Sequence, residues 1–331
     1  MEPKFFVGID ISKLTLDIAV LHNNVVLTTL QIENSEMGFR QLLVKLKADF
    51  KCTRNNTLYC AEDMGVFASF LLAVCDKKKL RICMESPLRI KRSLGIQRGK
   101  TDTKDATRIA WYARRHYSQL RLWQAPRDCI VMLKDLFALR KKLTKIKVML
   151  TNRDRMDAHF RSRRDIKFLK AHYQLTMDAA RTNIRKVEQE MQALVSNDEN
   201  LAELFRIITT IPQIGPVIAT EIIIATNEFT TITTPKRFAS YCGIAPFEWS
   251  SGSSLKGKPR VSHFANRELK TMLHMAAMGY VRRKESKLGK YYLRKVAEGK
   301  NKMSVLNAVR NKLVHRIFAC VHNRKTFDET I

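Results

Sequence analysis

Phe5-Phe6-Val7-Gly8-Ile9-Asp10 is a run of strand-forming apolar residues that stops on a carboxylate. A run without polar alternation suits a strand covered on both faces, in the middle of a sheet. Residues 14–21 follow as a second strand. Asn23-Asn24, a pair that tolerates the backbone of a two-residue turn, leads into a third at 25–32, so three antiparallel strands are expected. Outward from there, residues 35–47 carry Phe39, Leu42, Leu43 and Leu46 at helical spacing. Residues 57–61 read as a fourth strand, 66–74 as a helix, 80–84 as a fifth strand, and 101–117 as a helix with Asp102 near its first turn. The first ~120 residues therefore predict an α/β domain.

The middle of the chain has another period. Met132, Leu136, Leu139, Leu143, Ile146 and Leu150 recur at alternating spacings of four and three, as do Met177, Ala180, Ile184, Val187, Met191 and Leu194. Each set spans about three heptads, which suits a coiled coil or a pair of ordinary bundle helices, as an antiparallel hairpin or as a dimer seam. Residues 140–170 hold twelve Lys/Arg and three Asp, so the outer face is strongly positive. The remainder reads as mainly helical. The sequence Ile211-Pro212-Gln213-Ile214-Gly215-Pro216 joins two helical stretches, 248–258 reads as a Ser/Gly/Lys loop, and helices are expected at about 266–283 and 302–320. The expected division is 1–122, 123–200 and 201–331.

Composition narrows the function. The chain has 331 residues, 45% of them hydrophobic, with 60 Lys+Arg against 31 Asp+Glu and a formal charge of +29. Such an excess repels itself in the folded state, and a polyanion relieves it; nucleic acid is the expected partner, a generally basic surface the bland alternative. Seven cysteines are an odd number with no C-x-x-C pair, and the eight histidines form no H-E-x-x-H. A disulfide framework and a zinc ribbon are thereby disfavoured, and any metal is expected on carboxylates. No run approaches the roughly 18 apolar residues of a membrane span. The N-terminus has no signal-peptide plan. The expected location is the cytoplasm, in contact with the nucleoid when active, with no membrane partner.

Four carboxylates stand out by placement. Asp10 ends the first strand, Glu62 the fourth, and Asp102 and Asp105 are three apart, so they share a helix face. Taken singly, Asp102 reads as a helix cap, Asp105 as a charge favoured by the helix N-terminus, and the others as loop-proximal acids. Taken together, two strand ends and a helix meeting at one sheet edge form the carboxylate cluster of ribonuclease H-like nucleases. Such a cluster holds one or two Mg²⁺ through hard oxygen ligands and serves in-line phosphoryl displacement.

These residues carry a resemblance. Gly8-Ile9-Asp10-Ile11-Ser12-Lys13, Glu62 before Gly65, and Lys100-Thr101-Asp102-Thr103-Lys104-Asp105-Ala106 look like the DEDD transposases, the insertion-sequence one-hundred-and-ten group that includes Piv-like invertases and bridge-RNA-guided recombinases. The likeness continues through 211–219, through Tyr241-Cys242-Gly243-Ile244-Ala245-Pro246, and into Ser251-Gly252-Ser253-Ser254-Leu255-Lys256-Gly257. It implies a RuvC-like N-terminal domain, a coiled-coil segment aiding dimerisation, and a helical C-terminal domain with a catalytic serine. Carried over by position, the metal-binding acids are Asp10, Glu62, Asp102 and Asp105, and the nucleophile is Ser251. Two departures stand out. The usual E-x-T-G is Glu62-Asp63-Met64-Gly65, which makes Asp63 a possible stand-in. The usual P-G-I-G is Pro212-Gln213-Ile214-Gly215, which lacks one glycine of a helix-hairpin-helix.

On composition alone, Ser251 is a flexible loop residue, and Ser250, Ser253 and Ser254 are its rivals. As a nucleophile it would conserve bond energy in a phosphate ester for rejoining. Basic residues adjoin both parts of this chemistry. Arg89, Lys91, Arg92, Arg98 and Lys100 lead into the acidic pair; Lys256, Lys258 and Arg260 follow the serine. Arg282, Arg283, Lys284, Lys287, Lys290, Arg294 and Lys295 form a third cluster with Tyr291 and Tyr292 available for stacking. The expectation is a DNA recombinase that cuts and rejoins double-stranded donor and target DNA with Mg²⁺. The resemblance adds a guide RNA and a homodimer, or a tetramer on synapsis. The alternatives are a RuvC-like structure-selective nuclease using water, and a basic nucleic-acid-binding protein without catalysis.

Overall fold

The computed structural model describes residues 2–93, 102–160, 162–251, 255–262 and 264–328, in two compact units, Met1–Ala125 and Pro126–Ile331. In the first, β1 (Phe5–Ile11), β2 (Thr15–His22), β3 (Val25–Glu33), β4 (Thr57–Glu62) and β5 (Ile82–Glu85) form one sheet in the order β3-β2-β1-β4-β5. β2 is antiparallel to β1 and β3, whereas β1, β4 and β5 run parallel. Asn23 and Asn24 take φ of 47° and 62°, the left-handed pair that a two-residue hairpin turn requires. The helices are α1 (Glu36–Phe50), α2 (Ser69–Lys77), α3 (Pro87–Ser93) and α4 (Asp102–His116). The sequence pattern did not anticipate α3. Ser35 starts α1 by accepting the Gly38 N–H at 3.1 Å.

The unbroken apolar run of β1 is explained by burial on both faces. Val7, Ile9 and Ile11 pack with Phe39, Leu42, Leu46, Leu71 and Val74 of α1 and α2. Phe6 shares the other face with Ala106, Ile109, Ala110 and Ala113 of α4. Between them Gly8 has no side chain to spare: a Cβ there would lie 2.2 Å from the Ala106 carbonyl oxygen and 2.3 Å from the Ala110 nitrogen. The glycine lets α4 lie directly on β1.

The second unit begins with α5 (Asp128–Phe160) and α6 (Arg163–Ser196), which pack against each other as a helical hairpin. The expected stripe of α6 is buried at Met177, Ala180, Ile184, Val187 and Met191. On α5 the outcome differs. Ile130, Leu133 and Phe137 are the buried positions, while Met132, Leu139 and Ile146 of the heptad stripe are 57%, 44% and 40% exposed. Two apolar stripes share this helix, and Ile130, Leu133 and Phe137 win the inward face because they join one core with the helices that follow. Those are α7 (Glu199–Thr209), α8 (Pro216–Thr226), α9 (Pro235–Tyr241), α10 (Arg267–Arg282), α11 (Lys287–Ala297) and α12 (Lys302–His322). Gln213, where the family pattern has glycine, takes the left-handed φ of 68°. Its side chain lies across Gly279, whose Cβ would meet the Gln213 Oε1 at 2.0 Å.

The expected loop at 248–258 is a correction. β6 (Pro246–Ser251) and β7 (Leu255–Val261) pair antiparallel, with Ser251 opposite Leu255 and a bulge between Phe247 and Trp249. Phe247 and Trp249 alternate with polar residues, a strand period that the serines and glycines obscure. Cys75, Cys83 and Cys242 are buried free thiols pushed up to about 12 by burial. No helix among the described residues is long and apolar enough to cross a membrane.

Candidate functional site

Register places a row of acids on one face of the sheet. Asp10 pairs with Asp17, and Asp17 with Gln31. Ile9 pairs with Ala61, so Asp10 and Glu62 follow as neighbours at the ends of parallel strands, and Glu62 pairs with Glu85. Residues paired across strands share a face. Ala19, Cys60 and Cys83, two positions away on their strands, pack against α4. The row Asp17–Asp10–Glu62–Glu85 therefore lies on the α4 side. Asp105 stands one residue before Ala106, where α4 touches β1 through Gly8, and Asp102 is the first residue of the helix.

The outer acids of this row, Asp17 and Glu85, were missed in the sequence. The sequence pattern ends the fifth strand at residue 84, one short of Glu85, and only hairpin register reveals Asp17. Both are buried, at 5% and 7% exposure. Gln31 donates its amide to both oxygens of Asp17 at 3.2 Å. Arg89 donates to both oxygens of Glu85 at 3.2 Å. Burial, then the Glu85 charge, pushes the Tyr112 hydroxyl up to about 12. Arg89, expected to contact nucleic acid, is thus held by a carboxylate, although its side chain stays 58% exposed.

Asp10 and Glu62 are half-buried, and Asp105 is paired with Arg108. Among the described residues no three His, Cys, Asp or Glu gather to hold a metal, and the side chain of Asp102 lies outside that set. The donor chemistry still fits a divalent cation: hard oxygens from two adjoining strand ends, with further carboxylates on the helix that packs over them. Asp105 would exchange Arg108 for the cation.

In the second unit Ser251 is the last residue of β6, and Ser250 pairs with Lys256 of β7. Lys258 and Arg260 follow on β7, Arg260 opposite Phe247. Ser253 and Ser254, like Arg98 and Lys100 before α4, lie outside the described residues. Lys91 is exposed on α3 beside Arg92, and Arg282 and Arg283 are exposed at the end of α10. The α11 cations expected to bind phosphate gather with those of α12. Lys287, Lys290 and Arg294 line a groove of ≈830 Å³ with Lys312 and Arg316. Lys312 Nζ sits 4.7 Å from the centre of the Tyr291 ring.

A family model for DEDD transposases of the IS110 type matches residues 7–158, and one for transposases of the IS116/IS110/IS902 family matches 205–293. The pilin gene-inverting protein of Moraxella bovis is 25% identical over 332 residues, covering 99% of each chain. Its counterpart from Moraxella lacunata is 24% identical with the same coverage. The transposase for insertion sequence element IS1533 of Leptospira borgpetersenii is 24% identical, over 61% of this chain and 62% of its own. Among solved structures, T. thermophilus RuvC in complex with Holliday junction substrate aligns with 36% of this chain and 99% of its own, at 11% identity and a TM-score of 0.29. The two family models follow each other in chain order, one over the acidic row and one over the serine hairpin: the chain belongs to the IS110 family of DEDD transposases.

Proposed function

We propose that this protein recombines DNA by a covalent serine mechanism, with Asp10, Glu62, Asp102 and Asp105 holding Mg²⁺ and Ser251 attacking the strand. The observation that supports it best is the placement of Asp10 and Glu62 side by side on parallel strand ends, beneath the helix that carries the acidic pair. Bound Mg²⁺ would supply Lewis-acid stabilisation of the charge that develops on the phosphate oxygens. The carboxylates would hold the cation at the sheet end, while Arg89 and Gln31 hold the outer acids in place.

Ser251 Oγ forms the new bond to phosphorus; the bond from phosphorus to one deoxyribose oxygen breaks, and that oxygen leaves as a hydroxyl carrying the serine proton. Rejoining is the reverse, with a different strand end supplying the hydroxyl. Because the phosphodiester energy is kept in the serine ester, no cofactor is consumed. Lys256, Lys258 and Arg260 on β7, with Lys91, Arg92, Arg98, Lys100, Arg282 and Arg283, are the proposed backbone contacts to donor and target DNA. A guide RNA and a homodimer, tetrameric on synapsis, complete the reading. The dimer is supported by the exposed Met132, Leu139 and Ile146 stripe.

The test is a cleaved substrate with DNA left on the protein, resistant to denaturation and released by protease, mapping to the Ser251 peptide. Ser251→Ala and Asp105→Asn should each abolish the adduct while nucleic-acid binding is kept, whereas Ser250→Ala, Ser253→Ala and Ser254→Ala retain it. Recombination by Ser251→Ala would refute the serine. Free 5′-phosphate ends that are never rejoined would favour the water-using nuclease instead.

A further inference from the structure

Beside the turn that leads into the serine hairpin lies a cluster of cations that the proposed chemistry does not use. Lys270 and His274 are one turn apart on α10, and Asn307 and Arg310 are one turn apart on α12, which packs against it. Arg310 is 7% exposed. Among the described residues its Nε has no hydrogen-bond partner, and neither does Nδ1 of His274 nor Oδ1 of Asn307. Burial and the charge of Arg310 hold both Lys270 and His274 below their usual values, and burial lowers Arg310 itself. Among the described residues, no carboxylate acts on these three.

The cluster is braced on the turn that enters the hairpin. Asn307 Nδ2 donates to the Ile244 carbonyl at 2.8 Å. A Cβ on Gly243, whose φ is +63°, would stand 3.7 Å from Lys270 Nζ. Two residues after Ile244, β6 begins at Pro246. Ser251 ends that strand, so at roughly 3.4 Å per residue it lies about 17 Å further along.

A buried guanidinium without a counter-charge is costly, and orphaned buried polar atoms are rare in folded proteins. Two such nitrogens, Arg310 Nε and His274 Nδ1, with Lys270 beside them call for an anion. Phosphate suits the planar guanidinium fork, which binds it through two parallel N–H donors. We propose that Arg310, with Lys270 and His274, forms a pocket for one phosphodiester of the bound nucleic acid, anchoring its backbone at the root of the serine hairpin. Asn307 Oδ1 accepts from a hydroxyl or water beside that phosphate. The distance from Ser251 makes these positioning residues and not catalytic ones. The proposal rests on the reading that the chain works on nucleic acid, but not on the serine mechanism.

The experiment uses the full chain, as Arg310→Met and Lys270→Gln. Binding to a DNA duplex and to a single-stranded RNA is followed through a salt series, alongside thermal melting without ligand. Each variant should lose about tenfold or more in affinity. Its log–log salt slope should shrink by about one. Arg310→Met should melt at or above the wild-type temperature, because an unpaired buried charge has become an apolar chain. Loss in the DNA arm alone assigns the phosphate to DNA, and loss in the RNA arm alone to RNA. Unchanged slopes in both arms for both variants would overturn the pocket. A lowered melting point for Arg310→Met with wild-type binding by Lys270→Gln would likewise overturn it, making Arg310 a structural residue. Wild-type protein that binds neither probe would instead refute the nucleic-acid reading itself.

Discussion

Gly8→Ala tests whether the approach of α4 to β1 builds the acidic site. The added methyl would sit 2.2 Å from the Ala106 carbonyl oxygen, 2.3 Å from the Ala110 nitrogen and 2.9 Å from the Ala110 Cα. Ordinary non-bonded separations are about 3.5–4.0 Å, so the gap is short by more than about 1 Å. The obstacle is helix backbone on one side and the central strand on the other, and neither has a rotamer to change. The helix must therefore back away. Overpacking of this kind costs about 1–3 kcal/mol, occasionally more. At the upper end that is a fall of roughly 10 °C in the melting temperature of a unit this size. The larger consequence is chemical. Asp105 precedes Ala106 directly, and a misplacement of about 1 Å in a reacting constellation costs on the order of 10²-fold in rate. The assay is Mg²⁺-dependent strand cleavage at a temperature where circular dichroism shows the variant folded. Expected is near-complete loss of cleavage with nucleic-acid binding retained. A variant that melts and cleaves like wild type would refute the idea that Gly8 sets the height of α4 over the acids.

Three further outcomes are expected. Leu139→Lys with Ile146→Lys should convert a dimer to monomer by light scattering with helicity unchanged, since each buried apolar side chain contributes about 1.5–3 kcal/mol; a persisting dimer would move the seam elsewhere. The Asp198 carboxyl is held below the usual range, first by the Arg127 guanidinium and then by the Leu201 N–H, so its contribution is present above the unfolded value near pH 4 and is lost as pH falls through the folded one. Arg127→Met should melt lower at neutral pH and show a flatter decline below about pH 4 than wild type; parallel declines would remove Arg127 as the cause. RNA retained through purification should be one structured species by sequencing; a random, salt-labile population, losing about 10³–10⁵ in affinity between 50 and 200 mM salt for 6–10 phosphate contacts, would leave the +29 charge explained and the guide unsupported.

What the chain's own residues determine is local. β1 is legible because a strand buried on both faces must be apolar throughout, and the Asn23-Asn24 turn because few residue pairs tolerate two consecutive positive φ values. Ser35 marks the start of α1 and the heptad stripe marks the inner face of α6, each through interactions within a few residues or one helical repeat. Asp10 and Glu62 stand out where a strand's apolar run stops on a charge, and Asp102 and Asp105 by their spacing of three at the start of a helix.

Tertiary structure decided everything that depends on which neighbour arrives. On α5 two apolar stripes compete, and only the helices that complete the core choose Leu133 and Phe137 over Met132 and Leu139. Gln213 holds a backbone shape suited to glycine because Gly279, 66 positions away, leaves room for its side chain. Asp17 and Glu85 enter the acidic row through strand register, which is a relation between strands and has no signature in either one. Arg310 looks in sequence like any basic residue on a helix. It is buried on a helix that α10 packs against, and burial, a property of the assembled fold, leaves its Nε without a hydrogen-bond partner among the described residues.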